Sequence, residues 1–169
     1  QRERELARAL SARRVDGLII APAGDDQSYL ESELRAGTVI VCVDREARNL
    51  RVDSVMTTNA SGAADAVQHL AARGHQRIAF LGDHPSIVTA RQRYQGYCDA
   101  LQSLSIPLDP AIVVHDVGQI DLADRTTTAL LVRPEAPTAL FTAQNMVTIG
   151  AARALRRLGL ERSVALVGF

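Results

Sequence analysis

The sequence of 169 residues contains no lysine and no tryptophan, only two cysteines, and no excess of charge of either sign. Nineteen arginines balance nineteen acidic residues, whereas a dedicated nucleic-acid-binding module usually carries a positive excess. The longest apolar stretches are far shorter than the roughly 20 residues that cross a bilayer. No basic segment followed by an apolar core opens the chain. These absences argue against DNA binding by this segment itself, against a membrane span and against an export signal.

The motifs of several enzyme classes are also missing. No GxGxxG follows a predicted strand, and neither GxxxxGK[ST] nor GxSxG occurs, so dinucleotide binding, P-loop hydrolysis and the α/β-hydrolase nucleophile lose support. Cys42 and Cys98 stand alone and are interpreted as small buried side chains. The histidines lack metal-ligand spacing, and we expect no metal, no cofactor and no enzymatic activity. They are His69, His75, His84 and His115.

What the sequence has is a regular alternation of short apolar runs and amphipathic stretches. Continuous apolar runs are typical of strands buried on both faces of a parallel sheet. They predict strands within 15–21, 38–43, 77–82, 111–114, 138–143 and 163–168, with a weaker piece at 53–59. Helices are predicted near 1–13, 26–36, 60–73, 90–104, 121–132 and 145–158, and three of them run into a glycine that can close the helix. Asn59 and Asn145 are predicted to cap the helices that begin beside them. The pattern predicts an α/β fold built on parallel sheets.

Polar side chains stand directly after four of the predicted strands. In open α/β sheets, ligands bind beyond the carboxyl ends of the strands. Carboxylate, guanidinium and amide groups together suit a polyhydroxylated or zwitterionic small molecule. Polar loops and helix caps also occupy these positions in any α/β protein, so the two interpretations stay open. The residues are Asp44 and Arg45, Asp83 and His84, His115 and Asp116, and Gln144 and Asn145.

Six stretches of the sequence, in family order, resemble the effector-binding core of the LacI/GalR transcriptional repressors, which share their fold with periplasmic sugar-binding proteins. Together they cover most of the chain. The stretches are RRVDGLIIAP (13–22), VIVCVDR (39–45), TTNASGAADAVQHLAARGHQRIAFLGD (57–83), RQRYQGYCDAL (91–101), PTALFTAQNMVTIGAARALRRLGL (137–160) and VALVGF (164–169).

The resemblance implies two doubly wound parallel-sheet subdomains around an effector cleft. Residues 1–58 would be part of the N-terminal subdomain and residues 59–169 most of the C-terminal one, both incomplete in this chain. The helix-turn-helix DNA-binding domain of the family is absent from the sequence, so we expect this chain to be a fragment of a longer protein.

The resemblance also implies the effector contacts, carried over position by position. Asp44 stands at the family's cleft aspartate and Arg93 at the arginine that commonly grips the effector. Gln144 replaces the usual asparagine and is followed by Asn145, while Thr89 is a weaker candidate in a loop of variable length. A carboxylate accepts sugar hydroxyls, and a guanidinium supplies two directed donors.

The function that the resemblance implies is ligand sensing by a cytoplasmic, homodimeric transcriptional repressor. A small effector, favoured to be a sugar or sugar derivative, would control binding to operator DNA through the domain absent here. A periplasmic sugar-binding protein of an ABC transporter is the alternative, because the two classes share their cleft chemistry. For Arg93 and Asp44 there are structural alternatives as well: Arg93 could pair with Asp99 or a glutamate on a helix surface, and Asp44 could cap the loop that follows it.

Overall fold

The computed structural model describes residues 2–169 and divides into two compact units, one ending at Thr57 and the other comprising Thr58–Phe169. Each unit has its own parallel sheet, as the apolar runs predict. Among residues 2–169, no helix combines the length and the apolar character needed to cross a membrane.

The first unit is a three-stranded sheet in the order β1-β2-β3. Leu18 and Ile40 lie side by side on one face of this sheet, where they pack with Ala7 and Leu30 in a small core. The predicted helix at 26–36 is shorter than expected, because a 3-10 turn at Ser28–Leu30 precedes a helix of only five residues. The elements are α1 (Arg2–Ser11), β1 (Gly17–Ile20), α2 (Glu31–Arg35), β2 (Val39–Val43) and β3 (Asp53–Val55).

The second unit is a four-stranded sheet in the order β5-β4-β6-β7, with a helix pair on each face. Every residue of the two central strands, β4 and β6, is buried. The elements are α3 (Asn59–Ala71), β4 (Ile78–Leu81), α4 (Val88–Ser103), β5 (Val113–Val114), α5 (Ile120–Leu131), β6 (Ala139–Thr142), α6 (Asn145–Leu158) and β7 (Ala165–Gly168).

Two details of the second unit bear on the sequence predictions. The strand predicted over 111–114 pairs only at its last two residues, because Pro110 opens a 3-10 turn in which the Asp109 carboxylate accepts from Ala111 N. The glycine closure of α6 is confirmed: Gly159 has a φ of 68°, the left-handed conformation that ends a helix. Since strands within a sheet are parallel, the residues that follow them meet at one edge of that sheet.

Candidate functional site

Arg93 is held rigidly at the carboxyl edge of the second sheet. It lies in the second turn of α4, where its Nε donates to Asn59 Oδ1 and its Nη1 donates to the Ala143 carbonyl oxygen, both at 2.8 Å. Its Cζ lies 4.0 Å from the centroid of the Phe169 ring. Two charge-assisted hydrogen bonds and a cation–π contact fix the plane of the guanidinium.

Asn59 is the buried partner of this arginine and not a helix cap, which corrects the prediction from the sequence. Thr58 occupies the cap position of α3 without a side-chain capping bond. Asn59 is 2% exposed, and its Nδ2 donates to Gln92 Oε1 at 3.1 Å while its Oδ1 accepts from Arg93. A polar residue at a helix start suits either role, so the sequence contains no signal that separates them.

The structural alternative for Arg93 was a surface pairing with Asp99 or a glutamate, but its hydrogen bonds go to Asn59 and the Ala143 carbonyl. The Asp99 carboxylate accepts instead from Gln95 Nε2 at 2.7 Å, four residues earlier on α4. Arg93 is therefore anchored where the strands end, while the Asp99 carboxylate is engaged by a neighbour on α4.

Gln144 and Asn145 lie beside the Arg93 anchor, because the carbonyl that accepts from Arg93 belongs to Ala143, the residue before them. Gln144 caps α6, with its Oε1 accepting from Val147 N at 3.1 Å, so the cap predicted at Asn145 is one residue out of place. Asn145 is exposed, and its Oδ1 accepts from the neighbouring Met146 N at 2.8 Å. The cap falls on Gln144 because that residue has the extended backbone a cap requires.

Thr89 lies in the first turn of α4 and not in the preceding loop where it was predicted, because the helix begins already at Val88; it is four residues before Arg93 and so on the same side of the helix. It is 6% exposed. In the second unit, Thr89 and Arg93 therefore share one side of α4, and Gln144 and Asn145 directly follow the Ala143 carbonyl that Arg93 binds.

Other polar groups that follow strands in this unit serve packing and turn closure. The His115 ring contacts Tyr94 edge-on, with centroids 4.7 Å apart, and lies 5.4 Å from the Phe80 centroid. Burial lowers the pKa of His115. Asp83 Oδ1 accepts from the His84 backbone N at 2.8 Å, and it lies 2.8 Å from the point where a Cβ on Gly118 would stand.

Asp44 belongs to the first unit, directly after β2. Its backbone has a φ of 67°, which is uncommon for a residue other than glycine, and the flanking Arg45 N donates to Val43 O at 2.8 Å. This tight turn leaves the carboxylate half-exposed, with Oδ2 3.3 Å from Arg45 Nε. The Arg45 side chain also reaches the first strand's loop, where Nη1 lies 3.4 Å from Pro22 O.

The chemistry of these groups is that of recognition. A carboxylate, a guanidinium, a hydroxyl and amides offer directed acceptors and donors to hydroxyl groups. No cluster of His, Cys, Asp and Glu within residues 2–169 has metal-binding geometry. Both cysteines are unbridged thiols, Cys42 buried and Cys98 half-buried.

Comparison with known proteins gives consistent results. A sequence model described as periplasmic binding proteins and sugar binding domain of LacI family matches residues 1–167. The chain is 26% identical over 162 residues to the HTH-type transcriptional repressor PurR of Haemophilus influenzae strain PittEE, covering 95% of the chain and 48% of that protein. It is 25% identical over 171 residues to the HTH-type transcriptional repressor CytR of Escherichia coli K12, covering 100% and 50%.

Among solved structures, a putative ribose operon repressor from Burkholderia thailandensis superposes with a TM-score of 0.82 at 35% identity, covering 99% of this chain and 63% of that one. The chain spans about half the length of the two curated repressors. The resemblance and the fold class inferred from the sequence are confirmed, and the names of these relatives support the prediction that the chain is not an enzyme.

Proposed function

Because the chain belongs to the family of periplasmic binding proteins and the sugar-binding domain of the LacI family, we propose that it is the effector-binding part of a transcriptional repressor. The proposed effector is a sugar or sugar derivative. The parent protein binds operator DNA through a separate helix-turn-helix domain and acts as a homodimer, a symmetry suited to two-fold operators. The transport-receptor alternative is not favoured, since the similar proteins reported above are named repressors.

The anchored Arg93 is the observation that carries this proposal. An arginine whose Nε and Nη1 are already bound to Asn59 and Ala143 keeps its guanidinium plane in one orientation. Such an arginine loses little side-chain conformational entropy when it binds a ligand. Its place at the carboxyl edge of a doubly wound sheet is the usual ligand position in open α/β folds.

The other predicted residues receive roles from their chemistry. We infer that Asp44 accepts hydrogen bonds from effector hydroxyls, that Thr89 contributes a hydroxyl, and that Asn145 supplies an exposed amide. Gln144 Oε1 is engaged by Val147 N, so its Nε2 is the group proposed to donate to the effector.

Regulation is proposed to follow from the two-unit organisation. We interpret residues 1–58 and 59–169 as parts of the family's two subdomains. We further propose that the effector binds more tightly to one of two orientations that these subdomains can adopt. An effector shifts such an equilibrium only through its differential affinity for the two states. Couplings of about 1–3 kcal/mol change affinity by roughly 5- to 150-fold.

The test uses the full-length protein and a panel of sugars and sugar acids, beginning with D-ribose because one similar structure is named a ribose operon repressor. Binding is measured by calorimetry and by the thermal shift that a ligand specific for the native state produces. We expect Arg93→Ala to weaken binding of the sugar that scores by roughly 10- to 150-fold, the range for losing hydrogen bonds to a charged group. Arg156→Ala, at an exposed arginine on α6, is the matched control. An unchanged dissociation constant in Arg93→Ala would overturn the assignment.

A further inference from the structure

The loop that carries Asp44 is tied to the loop after β1 through one buried side chain, Gln27. Gln27 is fully buried, and its Oε1 accepts from Arg48 N at 2.8 Å while its own backbone N donates to Arg48 O at 2.9 Å. Gln27 thereby binds both the backbone N–H and the backbone carbonyl of Arg48, which lies four positions after Asp44. Exposed pairs accompany this clamp, such as Arg48 Nη1 with Asp25 Oδ1 at 2.9 Å, but exposed pairs contribute little.

Gln27 is in turn oriented by Glu3 on α1. Gln27 Nε2 donates to Glu3 Oε1 at 3.2 Å and to Gly24 O at 3.1 Å, so its amide has every partner it needs. Glu3 Oε2 accepts from the backbone N of Ala23 and Gly24. Burial pushes the pKa of Glu3 upward, but its hydrogen bonds outweigh burial and lower the pKa, so the carboxylate is ionised at neutral pH.

Between the clamp and β2, the loop follows a constrained path. Asp44 N donates to Val55 O at 3.0 Å at one end, and Gln27 holds Arg48 at the other. Of these contacts, only the one between Gln27 and Arg48 depends on a side-chain amide that is fully buried. Leaving such a buried amide without a hydrogen-bond partner would be costly.

We propose that Gln27 is a positioning residue for ligand binding: through Arg48 it sets the course of the loop that presents Asp44 to the effector. This inference rests on the proposed function of Asp44. Gln27 itself is buried and acts only through the loop.

The first test measures amide hydrogen exchange in the full-length protein without ligand. Gln27→Leu keeps the approximate side-chain volume and removes both the donor and the acceptor. We expect exchange within residues 44–52 to accelerate by roughly tenfold or more, with protection in β4 and β6 unchanged. Asp25→Asn, which removes an exposed partner of the same arginine, is the matched control and is expected to change exchange less than about twofold. Unchanged exchange in Gln27→Leu, or equal acceleration in both variants, contradicts the proposal.

A second pair of variants covers the case in which Gln27→Leu does not fold. Gln27→Glu keeps an acceptor for Arg48 N but sets a second carboxylate against Glu3, which is expected to loosen the loop at neutral pH. Adding Glu3→Gln restores one amide facing one carboxylate but leaves the Gly24 carbonyl oxygen without its donor, so we expect it to recover part of the lost protection. A double variant as loose as Gln27→Glu alone contradicts the proposed Glu3–Gln27 arrangement.

A binding measurement separates positioning from a general loss of structure. With D-ribose as the probe, Gln27→Leu is expected to lower affinity about tenfold in the natural background but less than about twofold when Asp44→Asn is already present. If Gln27→Leu lowers D-ribose affinity by the same factor in both backgrounds, Gln27 does not act through Asp44. The exchange measurement needs no ligand and decides the role of Gln27 in the loop by itself, so a failure of D-ribose to bind counts only against D-ribose as the effector.

Discussion

The guanidinium of Arg93 is stacked on the ring of Phe169, with Cζ 4.0 Å from the ring centroid. The same ring lies 3.0 Å from the point where a Cβ on Gly62 would stand. The end of β7, the first turn of α3 and the second turn of α4 therefore meet at the arginine. Local hydrogen bonds hold its Nε and Nη1, and the aromatic face supports its plane from one side.

Replacing Phe169 tests this support. Phe169→Leu keeps an apolar side chain but removes the ring, and a cation–π contact is worth about 0.5–2 kcal/mol. We expect the affinity of the full-length protein for its sugar to fall roughly 2- to 30-fold, as measured by calorimetry. Phe169→Tyr retains the aromatic face and should bind nearly as tightly as the natural protein. Equal losses in the two variants would contradict a role for the aromatic face in supporting Arg93.

Asp44 is expected to act through its charge. Asp44→Asn keeps the size of the side chain and tolerates the positive φ of 67°, but it replaces a carboxylate oxygen with an amide. Hydrogen bonds to charged groups are worth about 1.5–3 kcal/mol, so we expect sugar affinity to fall by roughly 10-fold or more without a change in melting temperature. Asp53→Asn, at an exposed position on β3, serves as the control. Full affinity in Asp44→Asn would remove Asp44 from the site.

Gly96 is required where α4 crosses α3. A Cβ on Gly96 would stand 2.0 Å from the Ala60 carbonyl oxygen, a backbone atom that cannot move aside without shifting the helix. We expect Gly96→Ala to lower the free energy of unfolding by at least about 1–3 kcal/mol, measured by denaturant unfolding. Gly159→Asn is the contrasting variant, since a Cβ at that position would meet no other atom within 4 Å. The asparagine would only have to adopt the positive φ of 68°. Its cost is expected to stay below about 1 kcal/mol.

His115 is expected to make the stability of the protein sensitive to acid. Burial lowers its pKa below the ordinary value of 6.5, so the unfolded chain takes up this proton more readily than the folded one. Protonation therefore favours unfolding: the contribution is fully present above about pH 6.5 and is lost progressively as the pH falls below it. His115→Phe, which suits the contacts with Phe80 and Tyr94, should reduce the fall in melting temperature between about pH 7.5 and about pH 5. His69→Gln, at an exposed histidine, is the control and should leave this decrease in melting temperature unchanged. If the melting temperature of His115→Phe decreases as much as that of the natural protein, the prediction is contradicted.

The sequence was sufficient for the order and type of most elements. The runs at 77–82 and 138–143 became β4 and β6, because strands buried on both faces must be apolar throughout, and that demand is visible without coordinates. It was less informative for short or irregular pieces. The helix predicted at 26–36 forms only at Glu31–Arg35, after a 3-10 turn, since Gln27 and the residues around it satisfy their polar groups through α1 and the loop after β2.

For the candidate site, the sequence determined which residues have suitable chemistry and, through the positions after strands, which edge of each sheet they occupy. Asp44 and Gln144 were accessible in this way, whereas Arg93, which lies within α4, was indicated only by the family resemblance. The tertiary structure alone decided their partners: that Asn59 holds Arg93 and does not cap α3, that Phe169 supports it, and that Gln27 ties down Arg48. Local preferences act over a few residues and can be read from sequence, whereas these contacts join residues 21 to 76 positions apart. Such pairings are specified by how whole elements pack and by the cost of leaving a buried polar group without a partner.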